Sequence, residues 1–335
     1  MAGNTAGTGS AGGGKLLVIL SFCHRIESRD VIGGRVGDGL EGYRESIAAV
    51  CPELGLETVE LFRAGQNNQL ILVNSGLIFR FPKFGKGVAG LRREHAILSA
   101  ARPRLPLATP DYIYSNLDDE VGRAFVGYRK LPGSPLWPAD FRRIGDEGTV
   151  DRLATEIASF LQALHAVPPE TVDIPQEPSD SPAVWREMFA RFEQVVYPRL
   201  TAEALAWTTE QFDAFLEDDE QFAFDNVLRH GDFGSSNILY SAGERRVVGM
   251  IDFGHAGIGD PAVDFAGLRV CFGDAFIRRC ARVYPLMDRC WDRVRFYADC
   301  LFLLEDALFC VEHGTEEADE VVAEVNRIGA GPGEV

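Results

Sequence analysis

The sequence predicts an α+β fold in two lobes: a small antiparallel sheet carrying one helix, then a larger, mainly helical lobe. Three observations predict it. Residues 58–131 contain short strand-like runs set apart by tight polar turns, with one helical stretch among them. A segment rich in Pro and Gly, LPGSPLWP (131–138), follows. Beyond it the apolar period lengthens from two to about 3.6 and stays helical to about residue 328, interrupted by one short hairpin.

The first 35 residues lie outside this organisation. MAGNTAGTGSAGGG is a flexible tract by composition. The apolar KLLVILSFC after it is far shorter than a membrane span. Lys15 is the only early charge and Phe22 precedes Cys23, so neither a secretory signal nor a lipoprotein-type site is expected. The N-terminal lobe is assigned to residues 36–131. GLEGYRESIAAVCPELG, from Gly39, predicts a short amphipathic helix ending near Pro52. TVELFRA (58–64), QLILVNS (69–75) and GLIFRFPK (76–83) predict three strands separated by the turns GQNN and NSG. VAGLRREHAILSAARPRL (88–105) predicts a helix with Leu91, His95 and Leu98 on one face. DYIYSN and GRAFVGYRKL (122–131) add two strands around the acidic turn NLDDE.

Residues 131–138 read as a linker, and 132–330 as the second lobe. Its first long helix, 149–167, buries Val150, Leu153, Ile157, Phe160, Leu161 and Leu164 as one stripe. Two or three helices are expected over 182–224. NILYS and RRVVGMIDF then form a hairpin, and helices from about 261 to 328 close the chain. No internal repeat is evident.

Composition narrows the function classes. A formal net charge of −17 repels a polyanion, which argues against nucleic acid. It suits a cationic small molecule, and equally a solubilising acidic surface. The seven cysteines include no C-x-x-C pair, and five recur within apolar C-terminal segments. That pattern fits buried thiols in a reducing compartment, so a cytoplasmic location without zinc is expected. No membrane partner is expected, and a monomer is the expected state.

The chemistry lies in two loops. In HGDFGSSN, Asp232 and Asn237 are five positions apart, and Asn237 leads directly into a strand. The returning strand ends at Asp252, in IDFGHAGIGDPAVDF. A hairpin of this length brings Asn237 and Asp252 to one mouth, with Asp232 on the loop just before it. Asp, Asn and Gly are also ordinary turn residues, and either motif alone says little. Two oxygen ligands completed by phosphate and water suit Mg²⁺. A further carboxylate nearby can accept a hydrogen bond from a hydroxyl nucleophile. Asp-x-x-x-x-Asn followed by Asp-Phe-Gly is the layout of a kinase site, which points to a protein-kinase-like fold. That layout requires a cation on the third strand paired with a helix glutamate. Arg80 and Glu94 supply them, with Lys83 as a rival on the opposite face of the strand. Gly65, in RAGQNNQ, marks a loop that can cover phosphates through its backbone.

These residues resemble the aminoglycoside phosphotransferase family, small-molecule kinases with a protein-kinase-like fold. The resemblance rests on HGDFGSSNIL, IDFGHAGIGDPAVDFAGL and FLQALH, and runs from about Leu61 to the closing helices. IFRFPK and AFVGYRKLPGSPL look like the branch that phosphorylates the 2″-hydroxyl of aminoglycosides; macrolide kinases resemble the Arg80 variant too. The resemblance implies Asp232 as catalytic aspartate, Asn237 and Asp252 as Mg²⁺ ligands, and Arg80 on the phosphates of ATP or GTP. It also implies that Asp264 braces the catalytic loop, that His230 packs it, and that His165 is structural. Tyr128, Lys130 and Leu131 fall in the stretch that meets the purine, Tyr128 at a gatekeeper position like that of members using GTP as readily as ATP. Acids of the closing helices, Asp299, Glu305, Asp306 and Glu312, would face a cationic acceptor, Glu305 and Glu312 sharing one helical face. A kinase of another hydroxylated small molecule is the second reading. A protein kinase fits less well, because no Ala-Pro-Glu motif follows, and a pseudoenzyme would lack one of Asp232, Asn237 and Asp252.

Overall fold

A computed structural model describes residues 39–64, 68–176 and 181–331; the expected leader lies outside the described residues. Helix α1 (Gly39–Val50) precedes strands β1 (Val59–Ala64), β2 (Asn68–Val73) and β3 (Leu77–Pro82). Helix α2 (Gly85–Ala101) follows, then β4 (Tyr114–Asn116) and β5 (Phe125–Arg129). The five strands form one antiparallel sheet in the order β1-β2-β3-β5-β4, which puts β3 at the centre. α2 begins earlier than the apolar pattern indicates and stops before Pro103, which cannot continue the hydrogen-bond ladder. A core of Ile47, Ile71, Val73, Phe79, Phe81 and Phe125 joins α1 to this sheet. Gly127 in β5 lies against the Phe79 ring, leaving no room there for a Cβ.

The segment read as a linker is more structured than expected. Ser134–Pro135 forms a short strand, β6, opposite Tyr240 and Leu239. Gly133 makes this possible, because its φ is +90° and a Cβ would lie 2.9 Å from the Tyr240 carbonyl. Helices α3 (Pro138–Arg142), α4 (Glu147–His165), α5 (Pro182–Val195) and α6 (Ala202–Glu217) follow. α4 is capped by Asp146, whose carboxylate accepts the Thr149 N–H at 2.9 Å. Its predicted stripe is the heart of the large core: Leu153, Ile157, Phe160, Leu161 and Leu164 are fully buried, and Val150 packs at the edge. Each such side chain contributes roughly 1.5–3 kcal/mol by leaving water.

Strands β7 (Val227–Arg229), β8 (Ile238–Ser241), β9 (Arg246–Met250) and β10 (Gly257–Gly259) carry the two loops. β8 and β9 form the expected hairpin, with β6 on its outer edge. β7 pairs antiparallel with β10, so the chain before His230 is tied to the chain after Gly254. This small ribbon has no alternating apolar pattern and was not evident in the sequence. Helices α7 (Ala262–Phe272), α8 (Asp274–Ala281), α9 (Leu286–Arg289), α10 (Trp291–Phe296), α11 (Phe302–His313) and α12 (Ala318–Gly329) close the chain, with a π-helical turn, Tyr297–Leu301, between α10 and α11. The six cysteines among the described residues are buried and in no disulfide, and burial pushes the Cys280 and Cys290 thiols up to about 12. No helix among the described residues is long and apolar enough to cross a membrane.

α7 runs so close beneath the catalytic loop that a Cβ on Gly267 would sit 2.6 Å from the Phe233 carbonyl. Gly267→Ala is therefore expected to lower the unfolding free energy by about 1–3 kcal/mol, as overpacking does. Urea denaturation measures this, and an unchanged midpoint would contradict the contact.

Candidate active site

The loop after β7 is held from below. Asp264, the third residue of α7, is fully buried, and its Oδ2 accepts the His230 N–H and its Oδ1 the Gly231 N–H, each at 2.8 Å. His165, at the end of α4, adds a hydrogen bond from Nε2 to Asp264 Oδ2 at 3.0 Å. Burial alone would raise the Asp264 pKa; the hydrogen bond and charge of His165 and the His230 N–H outweigh it and hold the carboxyl below its usual range. Gly231 has φ +79° and packs directly on the His255 carbonyl, a position only glycine fits. The His230 ring is fully buried, with Nε2 donating to the Ile251 carbonyl at 3.1 Å and Nδ1 accepting the Asp232 N–H at 3.4 Å. That ring is therefore held through both nitrogens. It packs on Phe233 and Phe253, and both phenyl rings meet Phe160 of α4.

The hairpin brings the predicted oxygens together. Ile238 pairs with Met250, and the Ile251 N–H donates to the Asn237 carbonyl at 3.0 Å, so Asn237 and Asp252 flank adjacent strand ends. The Asn237 amide Nδ2 donates to the Asp232 carbonyl at 2.8 Å and to Asp232 Oδ2 at 3.2 Å. Both Asn237 protons are thus directed at Asp232, and its Oδ1 is left as the oxygen donor. Asp252 adopts φ +64°, ψ +68°, a left-handed conformation costly for a non-glycine residue, and its side chain is 46 % exposed. Burial first, and then the charge of Asp252, raise the Asp232 pKa. Asn237 Oδ1 and the Asp252 carboxylate are hard oxygen donors of the kind Mg²⁺ takes when phosphates and water complete its shell. Among the described residues no group of three or more His, Cys, Asp or Glu converges as an all-protein metal cage.

The sheet reaches this site through one side chain. Arg80, on β3, is 7 % exposed; its Nη1 donates to Glu94 Oε1 at 2.8 Å and its Nη2 lies 3.6 Å from Asp252 Oδ1. Glu94, on α2, is 1 % exposed and also accepts the Phe253 N–H at 3.2 Å. Lys83 lies beyond the end of β3 and is exposed. Tyr128 is buried opposite Ile78, 5.8 Å from the Tyr112 ring, and burial pushes its phenol up to about 12. Lys130 departs from expectation: its peptide N–H donates to the Gly76 carbonyl at 2.9 Å, so it is not free for a purine, and its ammonium sits 5.0 Å from the centre of the Phe62 ring. Leu131 lies beside Gly249. Gly65 lies outside the described residues.

The acids of the closing helices are less available than their spacing predicts. Glu305 is half-buried, and Asp306 is 3 % exposed and faces the interior. Glu312 is bound by Arg191 of α5 at 2.7 and 2.8 Å, and Asp299 by Arg269 at 2.8 Å. Helical periodicity places residues on a face but does not show which partner helix covers it. Asp260 accepts the Ala262 N–H at 2.9 Å, as a turn aspartate would, and also pairs in the interior with Arg293 at 2.7 Å and with the Tyr297 hydroxyl at 2.9 Å. Two polar residues at the site gave no signal in the sequence. Arg93 donates to the Gly254 carbonyl at 2.7 Å, and Tyr112 lies 3.2 Å from Arg80 Nη1. Arg93 could have been suspected only as the neighbour of Glu94 in RREH.

Residues 58–297 match the model of a phosphotransferase enzyme family. The chain belongs to this family. It is an enzyme that transfers phosphate to a hydroxyl group of a small molecule. It is 27 % identical over 200 residues to an aminoglycoside 3′-phosphotransferase of Salmonella typhimurium, covering 58 % of this chain and 69 % of that protein. It is 23 % identical to the viomycin phosphotransferase of Streptomyces vinaceus, over 56 % of this chain and 64 % of that one. Among solved structures, a GDP and kanamycin complex of an aminoglycoside 2″-phosphotransferase superposes with a TM-score of 0.78 and 25 % identity, over 86 % of this chain and 98 % of that one. A macrolide 2′-phosphotransferase of Brachybacterium faecium shares the fold, with a TM-score of 0.63 and 20 % identity, over 87 % of this chain and all of that one.

The two aspartates have opposite pH signatures. Asp232, raised in the folded enzyme, is expected to give kcat/KM an acid limb centred above the ordinary Asp value of about 3.9. Asp264, lowered, contributes stability that is full above about pH 3.9 and is lost as pH falls through its lower folded value. Asp264→Asn should remove that acid-side loss. A pH–rate profile and acid unfolding curves of the two proteins measure both effects.

Proposed function

We propose that this phosphotransferase moves the γ-phosphoryl group of ATP or GTP to a hydroxyl of an aminoglycoside, the 2″-hydroxyl in particular. One observation carries the reading: a single hairpin mouth gathers Asp232, Asn237 and Asp252, and the buried Arg80–Glu94 pair joins that mouth to the sheet. The N-terminal lobe, 36–131, would hold the nucleotide, and 132–330 the acceptor. Superposition on a GDP and kanamycin complex supports both the nucleotide and the acceptor class.

In this reading Asp232 accepts a hydrogen bond from the acceptor hydroxyl and takes its proton as the new O–P bond forms and the bond to the β-phosphate oxygen breaks. The transition state is loose, so alignment and charge neutralisation dominate over base strength. Asn237 Oδ1 and Asp252 would hold Mg²⁺, which supplies neutralisation of the triphosphate. Arg80 Nη2 faces the same phosphates, and Glu94 keeps its other end in place. Asn237 also donates to Asp232, which orients the carboxylate. Tyr128 walls the purine pocket, where an aromatic gatekeeper is consistent with GTP use. Glu305, half-buried on α11, would be one of the acids that meet an ammonium. Glu312 would do so by exchanging Arg191, and buried Asp306 only through the helix that carries it.

A second reading, a macrolide or other less cationic hydroxylated acceptor, is favoured by one observation. Arg191 and Arg269 already neutralise Glu312 and Asp299, which leaves the acceptor face less acidic than a polycation would favour.

Asp232→Ala is expected to cut turnover by about 10²–10⁴-fold, the usual span for a lost general base, with nucleotide affinity nearly unchanged. Coupled-assay kinetics and calorimetry of nucleotide binding measure the two; near-normal turnover would count against Asp232. Donor consumption by the wild-type enzyme should rise with aminoglycosides. A rise with macrolides alone would select the second reading.

A further inference from the structure

The cation on β3 is an arginine, and an arginine needs more partners than an ammonium does to hold one orientation. A guanidinium is a rigid planar fork, and rotation about its stem swings one end as the other moves. Arg80 uses both ends: Nη1 on Glu94 Oε1 at 2.8 Å, and Nη2 toward Asp252 Oδ1 at 3.6 Å. A single contact to Glu94 leaves the plane of the fork free to turn. The third contact comes from outside both elements that carry the ion pair. Tyr112, in the connection between α2 and β4, brings its hydroxyl to 3.2 Å from Nη1.

The surroundings fix that hydroxyl. The Tyr112 ring is half-buried and packs on Tyr128, with centroids 5.8 Å apart, and on His95 at 5.6 Å. Burial, reinforced by the charge of Glu94, raises the phenol well above its ordinary pKa despite the opposing effect of Arg80. The group therefore stays a neutral hydroxyl, with a lone pair for Arg80 and a proton to give. Glu94 Oε1 is shared between Arg80 and the Phe253 N–H, and the Tyr112 hydroxyl also interacts with the Glu94 carboxylate, so one hydroxyl meets both members of the ion pair. A small rotation of Glu94 would carry Arg80 with it unless a second group holds the guanidinium.

We propose that Tyr112 is a positioning residue for phosphoryl transfer: its hydroxyl fixes the plane of the Arg80 guanidinium so that Nη2 is aimed at the phosphates beside Asp252. The inference rests on the reading of Arg80 as a phosphate contact. It also gives a reason for the pairing of an arginine on β3 with a tyrosine at position 112. A lysine, with a single nitrogen, would have no second end to aim.

A double-mutant cycle tests it, with kcat/KM for the nucleotide, acceptor KM and melting temperature measured for Tyr112→Phe, Arg80→Lys, the double variant and Arg80→Ala. Tyr112→Phe keeps the ring and removes only the hydroxyl. It is expected to lower kcat/KM for the nucleotide roughly tenfold, the scale of one hydrogen bond to a charged group, and to leave acceptor KM unchanged. In the Arg80→Lys background the same change should cost less than about twofold, because the fork it orients is gone. Equal losses in both backgrounds would mean that Tyr112 acts through packing, and no loss in the wild-type background would mean that it does not act; either result overturns the proposal. If Arg80→Ala leaves nucleotide kinetics unchanged, the phosphate role of Arg80 fails and the proposal falls with it. A large Arg80→Ala effect beside an inert Tyr112→Phe rejects the proposal alone.

Discussion

The buried carboxylate of Asp264 is the constraint on which the rest of the site depends. Its two oxygens take the N–H groups of consecutive residues, His230 and Gly231, and one of them also takes His165. A carboxylate held in this way fixes the direction of the peptide chain as it enters the loop. Gly231 then turns with a positive φ, the His230 ring locks onto the Ile251 carbonyl, and Asp232 emerges beside Asn237. Removing one partner from such a buried, charged network costs far more than the network adds over an apolar replacement, because the remaining charge is left without compensation. The direction of the loop is thus a consequence of satisfying one buried charge.

A second constraint links the two lobes. Neighbouring residues of α2 hold neighbouring residues of the second loop: Glu94 accepts the Phe253 N–H, and Arg93 donates to the Gly254 carbonyl. On the other side the Phe253 ring packs on His230 and Phe160. Asp252 sits between these grips in a left-handed conformation, which persists because the residues after it are held from both lobes. The position of the sheet and the position of Asp252 are therefore not independent. A movement of α2 relative to the helical lobe would displace Arg80 and Asp252 together.

Most of this architecture was legible in the sequence for physical reasons. Period-two and period-3.6 apolar patterns marked β1, β2 and α4, because one face of each is more buried than the other, while β3 and β5, buried on both faces, showed as short apolar runs between turns. The spacing of Asp232, Asn237 and Asp252 was informative because a hairpin converts separation along the chain into proximity. Arg80 was separable from Lys83 by strand alternation. What was not legible depends on packing between distant segments. Ser134–Pro135 became a strand because β8 offered an edge, while its own composition is that of a turn. β7 and β10 are three-residue strands without a period. Tyr112 and Arg93 act through contacts that no local pattern encodes. The acids at 299, 306 and 312 share this difficulty: helical spacing gave their face, but whether an arginine or the core met that face was decided by α5 and α7.

In the proposed reading Asn237 and Asp252 form one oxygen site that faces the nucleotide, with Asp232 beside it and outside it. Anomalous diffraction from crystals grown with Mn²⁺ and a non-hydrolysable GTP analogue addresses this most directly. A manganese peak is expected within coordination distance of Asn237 Oδ1 and an Asp252 oxygen, bridged to the analogue's phosphates, with Asp232 directed away from it. A peak ligated by Asp232, or phosphates bound without metal at Asn237 and Asp252, would contradict that reading.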